Sequence, residues 1–583
     1  MKRKVLNKIT TKMLAGGLVV CMLAGCGGAG ATQEAEDAGI AEAPAAMMPE
    51  GAMESAKMEV APMEESTNMV AGTTDGLRYA EAFEAEAAVA CPTVIEDTNS
   101  EEYSQSEEKG FVSVYSEPLS TFSADVDTAS YSNLRRLINE GYSIDTLPEG
   151  AVRVEEIINY FSYEDLENPK GDEPFGVTTQ IMPCPWNSES HLLRVGLKTE
   201  DVDYSEFPSS NLVFLLDVSG SMYADDKLPL LQESFALLAE NLTEKDRVSI
   251  VTYAGDDAII IEGVPGNDTK KICKALYALE AGGSTHGSKG IETAYKLAEE
   301  YFIEGGNNRV ILATDGDLNV GLTTEEELED LITEKKESGV FLSVLGFGTG
   351  NIKDNKMETL ADKGNGNYAY IDSLREANKV LVEEMSATLL TVCKDVKFQV
   401  EFNPAVVAEY RLVGYDNRLL DAEDFEDDTK DAGEIGAGHC VTALYEIVTN
   451  EQIGTVKCGV KDLKYAEFYE EKGKQNDSNP AWKEGGYKEY EWLTVSIRYK
   501  EPEGTTSKLL EYPVNFDSYT TSPSDDFQFV AAAAEFALVA KQSEYKADAS
   551  LEQVEEVLED IRLTDEYKKE FAQLVEMLQK NSK

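Results

Sequence analysis

From residue 211 to residue 390 the chain repeats one pattern, a short apolar run followed by a longer stretch with apolar side chains at every third or fourth position. The first run, NLVFLLD, ends at Asp217 and lacks polar alternation, as expected of a strand covered on both faces. Leu228, Leu231, Phe235, Leu238 and Leu242 then recur at helical spacing. The runs RVSIVTYA, AIIIEGV, NRVILATDG and VFLSVLGFG supply further strands, with helices expected to start near Thr269, Ser288 and Thr323. Strands alternating with helices define a doubly wound, Rossmann-like α/β domain.

The flanks read differently. With 583 residues the chain exceeds what one core accommodates, and 42% hydrophobic content is enough to fold most of its length. The segment STFSADVDTASYSNLRRLINEG places Ser130 and Tyr131 ahead of a helical pattern at Leu134, Leu137 and Ile138, and a second helix is expected near Pro148. The runs PFGVTTQIM and HLLRVGLKT alternate as strands. After Cys393 the runs VKFQVEFN, AEYRLVGY, CVTALYEIV, EWLTVSIRY and LLEYPVNF do the same, and helical stretches close the chain. Strands on both sides of the α/β unit suggest that the flanks meet in one sandwich-like domain into which the unit is inserted.

The amino terminus has the architecture of an export signal. Lys2, Arg3, Lys4, Lys8 and Lys12 precede a short apolar run from Met13 to Leu23, too short to be read as a stable membrane span. The run closes in Leu23-Ala24-Gly25-Cys26, which resembles the bacterial lipobox, and that resemblance implies that Cys26 is lipidated and becomes the mature first residue. Two or more acyl chains hold a protein on a membrane, at about 0.8 kcal/mol per buried methylene. Residues 27–109 are rich in Ala, Glu, Met, Ser and Gly and read as an acidic, flexible tether. The expected organisation is a signal over 1–25, the linker over 26–110, a helical and β flank over 111–204, the α/β domain over 205–392, and a β-rich domain ending in helices over 393–583. A net charge of −57 without a long basic stripe argues against nucleic acid as a partner. Six cysteines remain beyond Cys26, with no CxxC pair and so no zinc framework; Cys440 and Cys458 flank a plausible hairpin.

In doubly wound sheets ligands gather at the carboxyl ends of strands. Asp217-Val218-Ser219-Gly220-Ser221 puts one carboxylate and two hydroxyls on a tight turn there, Gly282-Gly283-Ser284-Thr285 forms a second loop, and Thr314-Asp315-Gly316 ends a third strand. A small hard cation such as Mg²⁺ wants oxygen ligands in octahedral array at about 2.0–2.1 Å. Two carboxylates balance its charge without filling its shell, so one position stays for an incoming Asp or Glu. Taken singly, each loop has a structural reading as a helix cap, a plain turn or an Asx turn.

Together these residues resemble the metal-ion-dependent adhesion site of von Willebrand factor type A domains. The resemblance implies that Ser219, Ser221 and Thr285 coordinate directly, that Asp217 and Asp315 do so directly or through water, and that Mg²⁺, Mn²⁺ or Ca²⁺ is the ion. The segments TFSADVDTASYSNLRRLINEG, AVRVEEIINYF, ATDGDLNVG and GAGHCVTALYEI also resemble the YfbK-like von Willebrand factor type A lipoproteins. Catalytic constellations fail by comparison. His191, His286 and His439 form no HExxH, there is no GxSxG, the run Gly283–Gly290 with Lys289 lacks GxxxxGK[ST], and Ser543 with Lys546 is an SxxK spacing on a helix. The expectation is a non-enzymatic lipoprotein, anchored on the extracytoplasmic face of the cell membrane, that binds a metal and a partner protein's Asp or Glu. The alternative is a structural envelope-assembly protein whose flanking domain makes the main contacts.

Overall fold

The computed structural model describes residues 100–583 apart from 104, 125–126, 172, 201, 203–207, 255, 283–286, 317–324, 337, 385–389, 431, 451–490 and 503. The export signal, Cys26 and most of the linker lie outside the described residues, as do Thr285, His286 and Cys458. Every described element belongs to the compact unit Pro92–Lys583.

The first flank contributes β1 (Val112–Ser113), β2 (Leu119–Ser123), α1 (Ala129–Asn139), α2 (Val154–Asn159), β3 (Phe175–Pro183) and β4 (His191–Thr199). Two expectations are corrected. Ser130 and Tyr131 lie inside α1, and α2 starts at Val154 rather than near Pro148. The Ser130 hydroxyl donates to the Ala151 carbonyl at 2.7 Å and accepts from the Arg153 amide at 2.9 Å, so residues 148–153 are held as a turn.

The α/β unit follows as β5 (Ser210–Asp217), α3 (Leu228–Asn241), β6 (Arg247–Ala254), β7 (Asp256–Pro265), α4 (Thr269–Leu276), α5 (Gly287–Glu300), β8 (Asn307–Thr314), α6 (Glu325–Lys336), β9 (Phe341–Phe347), α7 (Asp354–Lys363), β10 (Tyr368–Ile371) and α8 (Leu374–Asn378). The sheet order is β10-β9-β8-β5-β6-β7, parallel throughout except for the antiparallel edge strand β7. Every residue of β5 is buried. Leu212, Phe214 and Leu216 face a cluster with Leu231, Phe235 and Ile272, whereas Val213 and Leu215 face Ile291, Tyr295 and Met357. Two buried faces explain the unalternating apolar run.

The chain then returns through β11 (Thr391–Phe402), β12 (Val407–Val413), β13 (Leu419–Leu420), β14 (Gly433–Gly436), β15 (Cys440–Thr449), β16 (Glu491–Lys500), β17 (Lys508–Asn515), α9 (Asp525–Ala540), α10 (Leu551–Asp560) and α11 (Glu566–Asn581). One antiparallel sheet runs β1-β12-β15-β4-β3 and another β13-β2-β11-β16-β17, with β14 on β11. Both sheets contain strands from before and from after the α/β unit. β4 pairs with β15, placing Val195 opposite Ala443, and β2 pairs with β11, placing Phe122 opposite Phe398. The α/β unit is therefore an insertion in a sandwich built by both flanks. The inner faces of the two sheets share one core, including Leu193, Val195, Tyr445, Phe398, Val400 and Val495.

The helices α1, α2, α9, α10 and α11 cover the outer face of the first sheet. α9 is buried almost all round because it lies in the middle of this layer. The acidic stretch after Leu551 breaks into two helices where the Asp565 carboxylate caps α11 by accepting from the Lys568 amide at 2.8 Å. Ion pairs join the inserted unit to its host: Arg135 with Asp372 and Glu376, Arg153 with Asp354 and Glu358, and Arg418 with Glu358 and Asp362. Among the described residues Cys184, Cys273, Cys393 and Cys440 form no disulfide. Among the described residues no helix is long and apolar enough to cross a membrane.

Candidate metal centre

β5 and β8 are parallel neighbours, with Leu216 beside Ala313, so Asp217 and Asp315 emerge side by side at their carboxyl ends. Both carboxylates have no solvent exposure. After Asp217 the chain turns sharply, and the Ser219 amide donates to Asp217 Oδ1 at 2.8 Å, which folds the backbone over the carboxylate. A short 3₁₀ turn, Gly220–Tyr223, carries the next residues. It brings the Ser221 hydroxyl within 2.9 Å of the Ser219 hydroxyl. Ser221 also bonds to Asp315, and the Thr314 hydroxyl donates to Asp217 Oδ2 at 3.3 Å. The result is a ring of oxygen-bearing side chains from Asp217, Ser219, Ser221 and Asp315. Ser219 is buried, Ser221 is exposed, and Tyr223 beyond it is 83% exposed, so the ring opens to solvent on that side.

The electrostatics separate the two acids. Burial pushes the Asp217 carboxyl up to about 6, against the lowering effect of the bonds from Ser219, and the Asp315 charge adds to the rise. Burial acts on Asp315 as well, but bonds from Asn351 and Lys227 outweigh it and hold that carboxyl below its usual range. Lys227 Nζ donates to Asp315 Oδ2 and to Asn351 Oδ1, both at 2.9 Å. Tyr253, in register with Asp217 on β6, is buried and stays protonated, chiefly through that burial and then through the Asp217 charge.

Lys227 and Asn351 are the participants that sequence reasoning missed. Lys227 carried a signal, since it immediately precedes α3, where the helix dipole opposes a cation. Asn351 carried none. It belongs to the loop after β9, which reaches the ring only because Gly316, at φ +97°, lets the backbone pass; a Cβ there would sit 2.8 Å from the Asn351 carbonyl oxygen.

The residues fit a hard cation rather than a soft one. Among the described residues no group of three or more His, Cys, Asp or Glu side chains gathers, so a metal held here must draw on hydroxyls as well as the two carboxylates. The other candidates lie elsewhere or are engaged. Lys289 pairs with Asp257 at 2.7 Å, and Ser543 donates to Glu108 at 2.8 Å. His191 packs between Trp492 and Tyr519, with burial holding its pKa down. His286 falls outside the described residues.

A strand-end ring of this kind in a doubly wound sheet belongs to a von Willebrand factor type A domain, and residues 211–384 match that family model. Residues 97–194 match the model described as von Willebrand factor, and residues 387–580 match the one described as "Uncharacterized protein YfbK, C-terminal". The chain is 42% identical over 501 residues to "Uncharacterized protein YfbK" of Escherichia coli (strain K12), covering 85% of this chain and 84% of that one. It belongs to the YfbK family. It is also 29% identical over 193 residues to human inter-alpha-trypsin inhibitor heavy chain H3, which spans 31% of this chain and 21% of that protein. Among solved structures, "von Willebrand factor type A from Catenulispora acidiphila" aligns with a TM-score of 0.38 at 14% identity, covering 72% of this chain and 91% of that one.

Proposed function

We propose that this chain is a lipid-anchored extracytoplasmic protein whose type A domain holds a divalent metal and, through it, a carboxylate of a partner protein. The observation that carries the reading is the ring of two buried carboxylates and two hydroxyls at the ends of β5 and β8. Asp217, Ser219, Ser221 and Asp315 would hold Mg²⁺, Mn²⁺ or Ca²⁺, with Thr285 as the further ligand that the family resemblance implies. When bound, the ion supplies a Lewis-acidic position that an incoming Asp or Glu can occupy. The protein's own part is to keep the two acids dry and fixed, because hydrogen bonds from Ser219 and Thr314 orient Asp217 while Lys227 and Asn351 orient Asp315. An exposed aromatic side chain at the mouth, Tyr223, offers a contact of the type that anchors protein interfaces.

The test is calorimetric titration of Mg²⁺ and Mn²⁺ into metal-stripped protein, beside Asp217→Ala and Ser219→Ala, with folding checked by circular dichroism. Saturable heat in the wild type, weakened at least tenfold in both variants, is expected. Folded variants that bind like wild type would remove the assignment.

A further inference from the structure

β8 carries a second unusual group at its other end. Arg309 lies six positions before Asp315, which is about 20 Å along a strand. A cavity of about 280 Å³ opens there between the type A domain and the sandwich, lined by Arg309, Thr359, Lys363, Asn365, Asn417 and Glu434 among others.

Arg309 is 1% exposed, and its contacts do not balance its charge. Nη1 donates to the Ser343 hydroxyl at 2.6 Å, the guanidinium lies 5.5 Å from the centre of the Phe341 ring, and Nε has no acceptor. Burial draws the group down only to about 10, so it is charged at neutral pH. Glu434 is the acid whose field reaches it, and that carboxylate accepts from the Asn365 amide at 2.8 Å. The contrast with the other buried arginines decides the matter. Among the described residues, Arg135, Arg136, Arg153, Arg194 and Arg411 each meet a carboxylate within ion-pair distance, and Arg309 alone does not. A buried cation without an anion is unfavourable, and a polar cavity beside it is the place for the missing charge. Lys363, about half exposed, and Arg418 add two further cations to the cavity wall, Arg418 being paired with Asp362, which also lines it.

We propose that this cavity binds a small organic anion, with its carboxylate or phosphate group seated on Arg309. The site is distinct from the metal centre and does not depend on it.

The experiment titrates citrate, glucuronate and inorganic phosphate at matched ionic strength into metal-stripped protein without chelator, followed by calorimetry and thermal melting. Three proteins are compared: wild type, Arg309→Met, which removes the charge, and Thr359→Tyr, which fills the cavity and leaves the guanidinium in place. Saturable binding of at least one probe to wild type, weakened tenfold or more in Thr359→Tyr and in folded Arg309→Met, is expected, and the preferred probe tells carboxylate from phosphate. The proposal is overturned if no probe binds wild type saturably, or if Thr359→Tyr binds like wild type. Because no divalent ion is present, failure here leaves the metal assignment standing, and loss of Mg²⁺ binding would not mimic it.

Discussion

Replacing Lys227 by Met exposes how the proposed metal centre balances its charge. Lys227 is 7% exposed, and its ammonium lies 2.9 Å from a carboxylate with no exposure at all. At that separation and an effective dielectric constant of about 20 the attraction is about 6 kcal/mol before desolvation is counted. Removing one partner of such a buried pair costs about 3–5 kcal/mol, because the other charge is left behind. For a domain of this size that is a fall in Tm on the order of 10 °C. A divalent ion would offset the effect, since it and the ammonium repel each other while both attract Asp315. Mg²⁺ should therefore recover part of the lost stability, and by linkage each 1.4 kcal/mol recovered beyond the wild-type gain is about a tenfold tightening of metal binding. The assay is thermal melting of wild type and Lys227→Met, metal-stripped and in excess Mg²⁺, with calorimetric Kd values alongside. An unchanged melt without metal, or weaker Mg²⁺ binding in the folded variant, would refute this account of Asp315.

Burial and anchoring give two further expected outcomes. Glu535 is buried in the middle of α9, where burial pushes its carboxyl up to about 7 against the bond from the Ser550 amide. Below the unfolded value near 4.5 both states hold the proton; between there and about 7 only the folded state does, so stability falls as pH rises through that window, by about 3 kcal/mol in all. Glu535→Gln should flatten that slope in urea titrations from pH 5 to pH 8 and be the more stable protein at pH 8; a slope equal to wild type would disprove the assignment. Cys26→Ala should abolish palmitate incorporation and release the protein from membranes, and equal label in both forms would remove the lipid anchor.

Much of this protein was legible in its residues for a local reason. A strand covered on both faces has no polar position to alternate with, so β5 announced a buried parallel sheet. Asp217, Ser219 and Ser221 lie within one turn, where chain geometry alone brings carboxylate and hydroxyls together, and Asp315 was readable because it ends the neighbouring strand. Local pattern failed where a distant or intervening group captured the backbone. The Ser130 hydroxyl turned the start expected for α2 into a turn, and the Asp565 cap divided a continuous helical periodicity.

Other features were decided by the tertiary structure. The pairing of β4 with β15 spans the whole inserted domain, and no short-range pattern specifies which distant edge a strand will join. Lys227 became the cation of the proposed metal centre because α3 and the loop after β9 converge on β8, and Arg309 was left without an anion because, among the described residues, no segment meeting it brings a carboxylate within ion-pair distance. Period and turn chemistry are properties of neighbouring residues, so the sequence carries them openly. The compensation of a buried charge depends on which segments the crossovers bring within a few ångströms, and only the folded chain sets that.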